Sequence, residues 1–316
     1  MTPTAEAIER FAADLDALAS QDARVGIAVS GGPDSLALLL LAAAARPGRV
    51  EAATVDHGLR AESADEAAMV AALCEQLAVP HRTVRADWSE APTTNVQAEA
   101  REMRYRLLNE WAIERGLPVL ATAHHADDQA ETLLMRLARG AGVGGLGGTR
   151  VRRALSEQVE LIRPLLGWRK AELERLVADA GLTPADDPSN CDPKHDRSRI
   201  RQWLAGAEWA DPARLAVSAS AIRDADEALD WALAPLISSR IRQDGDSLEI
   251  EPFDLPRELK RRLLLAAFAE MGAAPRGPEL MRAIEALESG EIVTLAGLKL
   301  EGGPRWLLSI APARRT

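Results

Sequence analysis

The chain is predicted to fold as an α/β protein: a parallel sheet with helices on both faces, then a smaller, mainly helical C-terminal domain ending in a β-hairpin. Three observations carry this. Four short β-prone runs, RVGIAV (24–29), RVEAATVD (49–56), PHRTVRAD (80–87) and LPVLATAHH (117–125), alternate with long helical patterns, and such alternation builds a parallel sheet covered on both faces. After Ala141 the texture changes to a glycine-rich stretch, GAGVGGLGG, followed by basic, proline-containing segments that read as an elaboration of the first domain. From about Asp211 the pattern is helical, clearest in DLPRELKRRLLLAAFAEMG, and closes in two β-prone pieces, EIVTLAGLKLEGG and RWLLSIAPA.

Taken in order, the N-terminal MTPTAEAIERFAADLDALAS is an acidic amphipathic helix; it lacks the basic and apolar regions of a signal peptide. The first strand then runs into Ser30-Gly31-Gly32-Pro33-Asp34-Ser35, and an apolar helix resumes behind it. That helix, with its apolar run from Leu36 to Ala45, is too short to span a bilayer and reads as buried. SADEAAMVAALCEQLA and VQAEAREMRYRLLNEWAIERG supply the helices between the later strands. The domains are expected at 1–210 and 211–316, with the boundary near Glu208 to Pro212. With 316 residues and 47% hydrophobic content the chain can bury a sizeable core, and its net charge of -10 argues against a general nucleic-acid coat. The two cysteines, Cys74 and Cys191, are far apart, form no Cys-x-x-Cys, and fit a reducing cytosol.

The polar interruption after the first strand has a chemical reading. A loop leading straight into a helix at the carboxyl end of a parallel strand points backbone N–H groups at an anion. Gly31 and Gly32 allow close approach to phosphate, Ser30 and Ser35 add hydroxyls, and Asp34 is placed to hold a Mg2+ that bridges phosphates. The alternative is an ordinary strand-to-helix turn capped by Asp34. No Gly-Lys-Ser/Thr is present, so this is no Walker A loop. Asp56 and His57, in TVDHGLR, end the second strand beside the first loop, either for the nucleotide or as a capped turn. In TAHHADDQAETLLMRLARG, Asp128 and Glu131 share a helical face and suit capture of an ammonium group or a metal; His124, His125, Asp127 and Asp128 could instead ligate the metal of a phosphohydrolase. Gly142, Gly144 and Gly147 satisfy Gly-x-Gly-x-x-Gly but follow a helix, so a mobile substrate-facing loop is expected there and not a dinucleotide site.

The Ser-Gly-Gly-x-Asp-Ser pattern resembles the PP-loop of the ATP pyrophosphatases, which implies an adenine nucleotide alpha hydrolase-like fold. Together SGGPDS, VDHGLR, NVQAEAREMRY, TAHHADDQAETLLMRLARGAGVGGLGG, RPLL and DPSN…RSRIR resemble, in order and spacing, the tRNA(Ile)-lysidine synthases over 24–204. The resemblance implies a cytoplasmic ATP-dependent ligase whose substrates are ATP, L-lysine and tRNA(Ile) with a CAU anticodon, with no membrane partner and a homodimer left open. Carried over by position, Ser30 to Ser35 hold ATP with Asp34 on Mg2+, Asp56 and His57 stand beside it, and Arg104 stabilises charge on the α-phosphate. His125, Asp128 and Glu131 line the lysine and cytidine pocket, and Arg199 and Arg201 contact ATP or tRNA phosphate. On this reading 141–205 faces tRNA and 211–316 recognises it. From Thr132 to Trp203 there are 13 Lys and Arg against 9 Asp and Glu, a modest basic excess in an acidic chain. A tRNA thiolase of the same superfamily, which generally needs paired cysteines or an iron-sulfur cluster, and a non-catalytic nucleotide-binding module are the competing readings.

Overall fold

The alternation of strands and helices read from the sequence is the order observed in a computed structural model, which describes residues 2–58, 63–88, 96–185 and 196–312. Two compact units result, 1–223 and 224–316. The first contains α1 (Ala5–Asp16), β1 (Val25–Ala28), α2 (Pro33–Ala45), β2 (Val50–Asp56), α3 (Ser63–Gln76), β3 (His81–Arg85), α4 (Val96–Arg115), β4 (Val119–Ala121) and α5 (Ala126–Ala138). It continues through α6 (Val143–Leu146), β5 (Arg152–Ala154), β6 (Glu160–Ile162), α7 (Lys170–Asp179), α8 (Asp196–Gly206) and the first part of α9 (Pro212–Arg240).

The sheet order is β3-β2-β1-β4-β6-β5, parallel throughout except for β5, which runs antiparallel to β6 at the edge. Helix α2 is apolar all round, with Leu36 to Leu41 buried, because it lies in a layer with α1, α3 and α7 over one face of the sheet. On the other face α4 turns Leu108, Trp111 and Ala112 onto Ala53, Leu120 and Leu161. Burying apolar surface at roughly 25 cal/mol for each Å², these two layers stabilise the frame that carries the loops at the strand ends.

The unit boundary differs from the sequence expectation. It falls at Arg223/Asp224, inside α9, and not near Glu208 to Pro212. The reason is local: Leu215 packs with Ala130, Leu204 and Ala210, Ala219 is fully buried, and Arg223 donates to the carbonyls of Gly147 and Thr149. The second unit adds β7 (Ile241–Asp244), β8 (Ser247–Ile250), α10 (Arg257–Glu270), α11 (Gly277–Glu288), β9 (Ile292–Leu295), β10 (Leu298–Glu301) and β11 (Trp306–Ile310). The antiparallel strands expected at the end are there, and belong to a larger five-stranded sheet of order β7-β8-β11-β10-β9. Leu248, Ile250, Leu298, Leu300, Trp306 and Leu308 bury one side of it with Leu263, Phe268 and Ile284. No helix among the described residues is long and apolar enough to cross a membrane.

Candidate active site

Strands β1 and β4 are neighbours, yet the chain leaves β1 toward β2 and β3 on one side and leaves β4 toward β6 on the other. Loops that diverge in this way open a crevice at the carboxyl ends of the two strands, where ligands of open α/β sheets bind. Ser30 to Ser35 follow β1 and His124 to Asp128 follow β4, so the topology brings both motifs to one place.

In the first loop Gly31 has φ 86°, a conformation that a side chain would strain, and its carbonyl accepts from the Ala185 N–H at 3.0 Å. Gly32 is the N-cap of α2 and offers no side-chain cap, and Pro33 occupies the first turn, so the helix N-terminus keeps N–H groups directed outward. Ser35 braces the turn: its Oγ receives the Ser30 N–H at 3.1 Å and donates to the Gly32 carbonyl at 2.9 Å. Asp34 Oδ2 lies 3.5 Å from His125 Nε2, while Asp34 Oδ1 is buried and has no hydrogen-bond partner among the described residues. A buried carboxylate oxygen without a donor fits a cation, and no cluster of three acidic, His or Cys side chains stands nearby among the described residues to hold one alone. That donor set suits Mg2+, which keeps waters and substrate phosphates as most of its ligands.

The second motif starts at His125, the N-cap of α5. Its Nδ1 accepts the Asp128 N–H at 3.4 Å, and the Asp128 carboxylate accepts the His125 N–H at 3.1 Å, a reciprocal capping box. With Nδ1 accepting, the remaining ring proton sits on Nε2, 3.5 Å from both Asp34 and Asp128. Burial alone would lower the His125 pKa, but the hydrogen bond to Asp34 and the charges of Asp128, Asp34 and Asp127 outweigh it and hold it above the usual value. For Asp128 burial opposes ionisation, and His125 and Arg197 override it, keeping its pKa below the ordinary carboxylate value. His124 is pushed down to about 3, chiefly by burial, and its Nδ1 lies 3.1 Å from Thr122 Oγ1 and 3.3 Å from the Arg163 Nε donor. Asp127 turns away, accepting the Lys170 N–H at 2.8 Å and reaching Arg169. The four residues therefore do not converge as metal ligands.

Glu131 is only 2% exposed and does not stand open. Both its oxygens accept from arginines of α8: Arg201 Nε at 2.7 Å on one, Arg197 Nε at 2.7 Å on the other. Arg197 also donates to Asp128 Oδ1 at 3.0 Å and so ties the carboxylate pair together. Arg201 thus faces carboxylate, and Arg199 is exposed and paired with Asp196. Sequence reasoning does not single out Arg197, although its i,i+4 spacing from Arg201 in RSRIR puts both on one helical face opposite the i,i+3 acids.

Asp56 is consumed locally. It accepts from the Gly58 N–H at 2.9 Å and the Ser63 hydroxyl at 2.7 Å, and these bonds, the serine first, hold its carboxyl below the usual range. The His57 carbonyl accepts from Trp88 Nε1 at 2.7 Å. Arg104 is exposed on α4, beside Tyr105. The glycine-rich stretch expected to be mobile is pinned instead: Gln129 brackets Thr149 through 2.9 and 2.6 Å bonds, and Arg136 and Arg223 hold the carbonyls of Gly145, Gly147 and Gly148. Arg60, Asn95, the DPSN segment and Cys191 lie outside the described residues.

A glycine turn opening a helix at the switch point, with an acid in its first turn, defines an ATP-binding protein of the PP-loop class, and the PP-loop domain family matches residues 2–208. A tRNA(Ile)-lysidine synthase of Novosphingobium aromaticivorans is 48% identical over 98% of this chain and 95% of its own length; one of Zymomonas mobilis is 44% identical over 92% and 90%. The chain belongs to the tRNA(Ile)-lysidine synthase family, and is thus a ligase that modifies tRNA with ATP. Among solved structures a U34-tRNA thiolase from Methanococcus maripaludis shares the fold, with a TM-score of 0.57 at 21% identity over 69% of this chain and 77% of that one.

The thiols separate these chemistries. Cys74 is free and buried in α3, and burial pushes its thiol up to about 12, so it holds no thiolate at neutral pH. The double variant Cys74→Ala, Cys191→Ser is therefore expected to retain lysine incorporation within a few-fold of the parent; a folded double variant without activity would revive sulfur transfer.

Proposed function

We propose that the protein adenylates the C2 oxygen of the wobble cytidine in the CAU anticodon of tRNA(Ile) with ATP, and that an amine of L-lysine then displaces AMP to give lysidine. The observation that carries this is the meeting of the phosphate loop with Asp34, His125 and Asp128 in one crevice. The carbonyl-like oxygen of cytidine is a poor leaving group. Its attack on the α-phosphorus expels pyrophosphate and makes AMP the group that leaves in the second step. The α2 N-terminus and Ser30 would bind the phosphates, and Arg104 would offset charge on the α-phosphate. Mg2+, when bound, neutralises phosphate charge; Asp34 Oδ1 is the oxygen offered to it.

The arginine clamp changes the division of labour between the two acids. Glu131 anchors Arg197 and Arg201, and Asp128, backed by His125, is the carboxylate assigned to the lysine amine. The amine must lose a proton before attack, and the acceptor is assigned to the carboxylates and histidines of this crevice as a group. Asp128→Asn keeps the shape and removes the charge, and should raise the apparent lysine KM by roughly 5- to 150-fold, equivalent to a lost charged hydrogen bond of about 1–3 kcal/mol, with the ATP KM far less affected. An unchanged lysine dependence would refute the role. The reaction itself is tested by its stoichiometry: one AMP and one pyrophosphate per lysine ligated, and no ADP. The second unit, 224–316, is assigned the reading of tRNA features beyond the anticodon, since the cleft motifs all precede Leu204 and tRNA(Met) shares the CAU sequence.

A further inference from the structure

Arg199 and Arg201, the arginines expected at phosphate, are both neutralised by carboxylates. Arginines without an ion pair among the described residues stand elsewhere. On α4, Arg101 places its guanidinium carbon 5.0 Å from the Tyr105 ring centroid and donates to the phenolic oxygen at 3.2 Å. From the sheet edge, Arg153 approaches the same ring at 4.7 Å. Strand alternation explains how it gets there: Arg152 and Arg153 leave β5 on opposite faces, Arg152 toward the Leu18 carbonyl and Glu160, Arg153 toward α4. Arg163 lies behind them, buried, donating to His124 Nδ1 and to the Arg150 carbonyl at 2.5 Å. Among the described residues none of Arg101, Arg104, Arg153 and Arg163 forms an ion pair.

Like charges gathered on one ring repel, and cation–π attraction of about 0.5–1 kcal/mol at an exposed site does not call for two of them. In a chain of net charge -10, an arginine cluster that has no ion pair among the described residues and reaches His124, next to His125 of the crevice, suits an anionic partner. We infer that Arg101 and Arg153, held over Tyr105, form a phosphate-tracking surface for the backbone of the tRNA loop that presents the target cytidine. This rests on the tRNA reading above. The anion is the RNA backbone and not the ATP triphosphate, because Arg153, which shares the ring with Arg101, comes from the edge strand β5, separated from β1 by β4 and β6, whereas the α2 N-terminus follows β1. Both arginines meet phosphate and read no base sequence.

The test is the salt dependence of unmodified tRNA(Ile) binding by the full chain, compared with the Arg101→Gln, Arg153→Gln double variant and with the charge-preserving Arg101→Lys, Arg153→Lys. Each phosphate left without its arginine lowers the slope of log K against log salt by about 0.7–0.9, so the glutamine variant should bind more weakly with a slope reduced by about 1.4–1.8. The lysine variant should keep the parent slope, and affinity for ATP should be the same in all three proteins. An unaltered slope in a glutamine variant that melts like the parent overturns the inference, as does a fall in ATP affinity matching the fall for tRNA. A parent protein that binds no tRNA would overturn the tRNA reading itself.

Discussion

Asp34→Ala is expected to abolish tRNA-dependent ATP–pyrophosphate exchange while leaving the circular dichroism spectrum unchanged. Asp34 sits in the first turn of α2, and as a first-turn acid it contributes only about 0.3–1 kcal/mol to the helix. The frame beneath it, Leu36 to Leu41 of α2 packed in the sheet layer, does not depend on its carboxylate. What the substitution removes is the buried Oδ1 with no protein donor, together with the partner of His125 Nε2. Chelation of divalent cations should reproduce the loss in the parent protein. Exchange at the parent rate in Asp34→Ala would show that the loop is a turn and that the nucleotide binds elsewhere.

Glu131→Gln should cost the first unit about 2 kcal/mol and lower its Tm by about 4–8 °C, because a buried carboxylate shared by two arginines is replaced by a neutral group with one acceptor. The cost is smaller than for a fully buried pair, since Arg197 and Arg201 have side chains 40% and 34% exposed. Activity should fall through kcat, with the lysine KM little changed, as α8 loses its anchor on α5. A rise in lysine KM at unchanged Tm would mean instead that Glu131 binds the amine directly and that the arginines are displaced when substrate enters.

The frame of the first unit was legible because its signals are local. Branched residues mark β1, β2 and β4, the glycine turn marks the entry to α2, and the helical periods between strands leave few alternatives to a parallel sheet. The site was legible as residue types at strand ends. Its internal bonding was not, because that bonding joins α5 to α8 far along the chain: the bond from Arg201 to Glu131 spans a separation of 70. Strands β7 and β8 escaped for another reason. IRQD is polar and lies at a sheet edge, where no alternation is imposed by burial, and only Gly245 with φ 61° marks the turn. The compact unit runs past the expected boundary because Ala210, Leu215 and Ala219 are small or intermittent apolar residues whose burial depends on packing that the period of α9 does not reveal.

Incorporation of labelled lysine tests the assigned reaction most directly. Full-length protein incubated with radiolabelled lysine and unmodified tRNA(Ile) transcript should transfer label to the tRNA only when ATP and Mg2+ are present, with the wobble cytidine as the acceptor and tRNA(Met) left nearly unlabelled. Absence of label from tRNA(Ile), or label that appears without consumption of ATP to AMP, would contradict it.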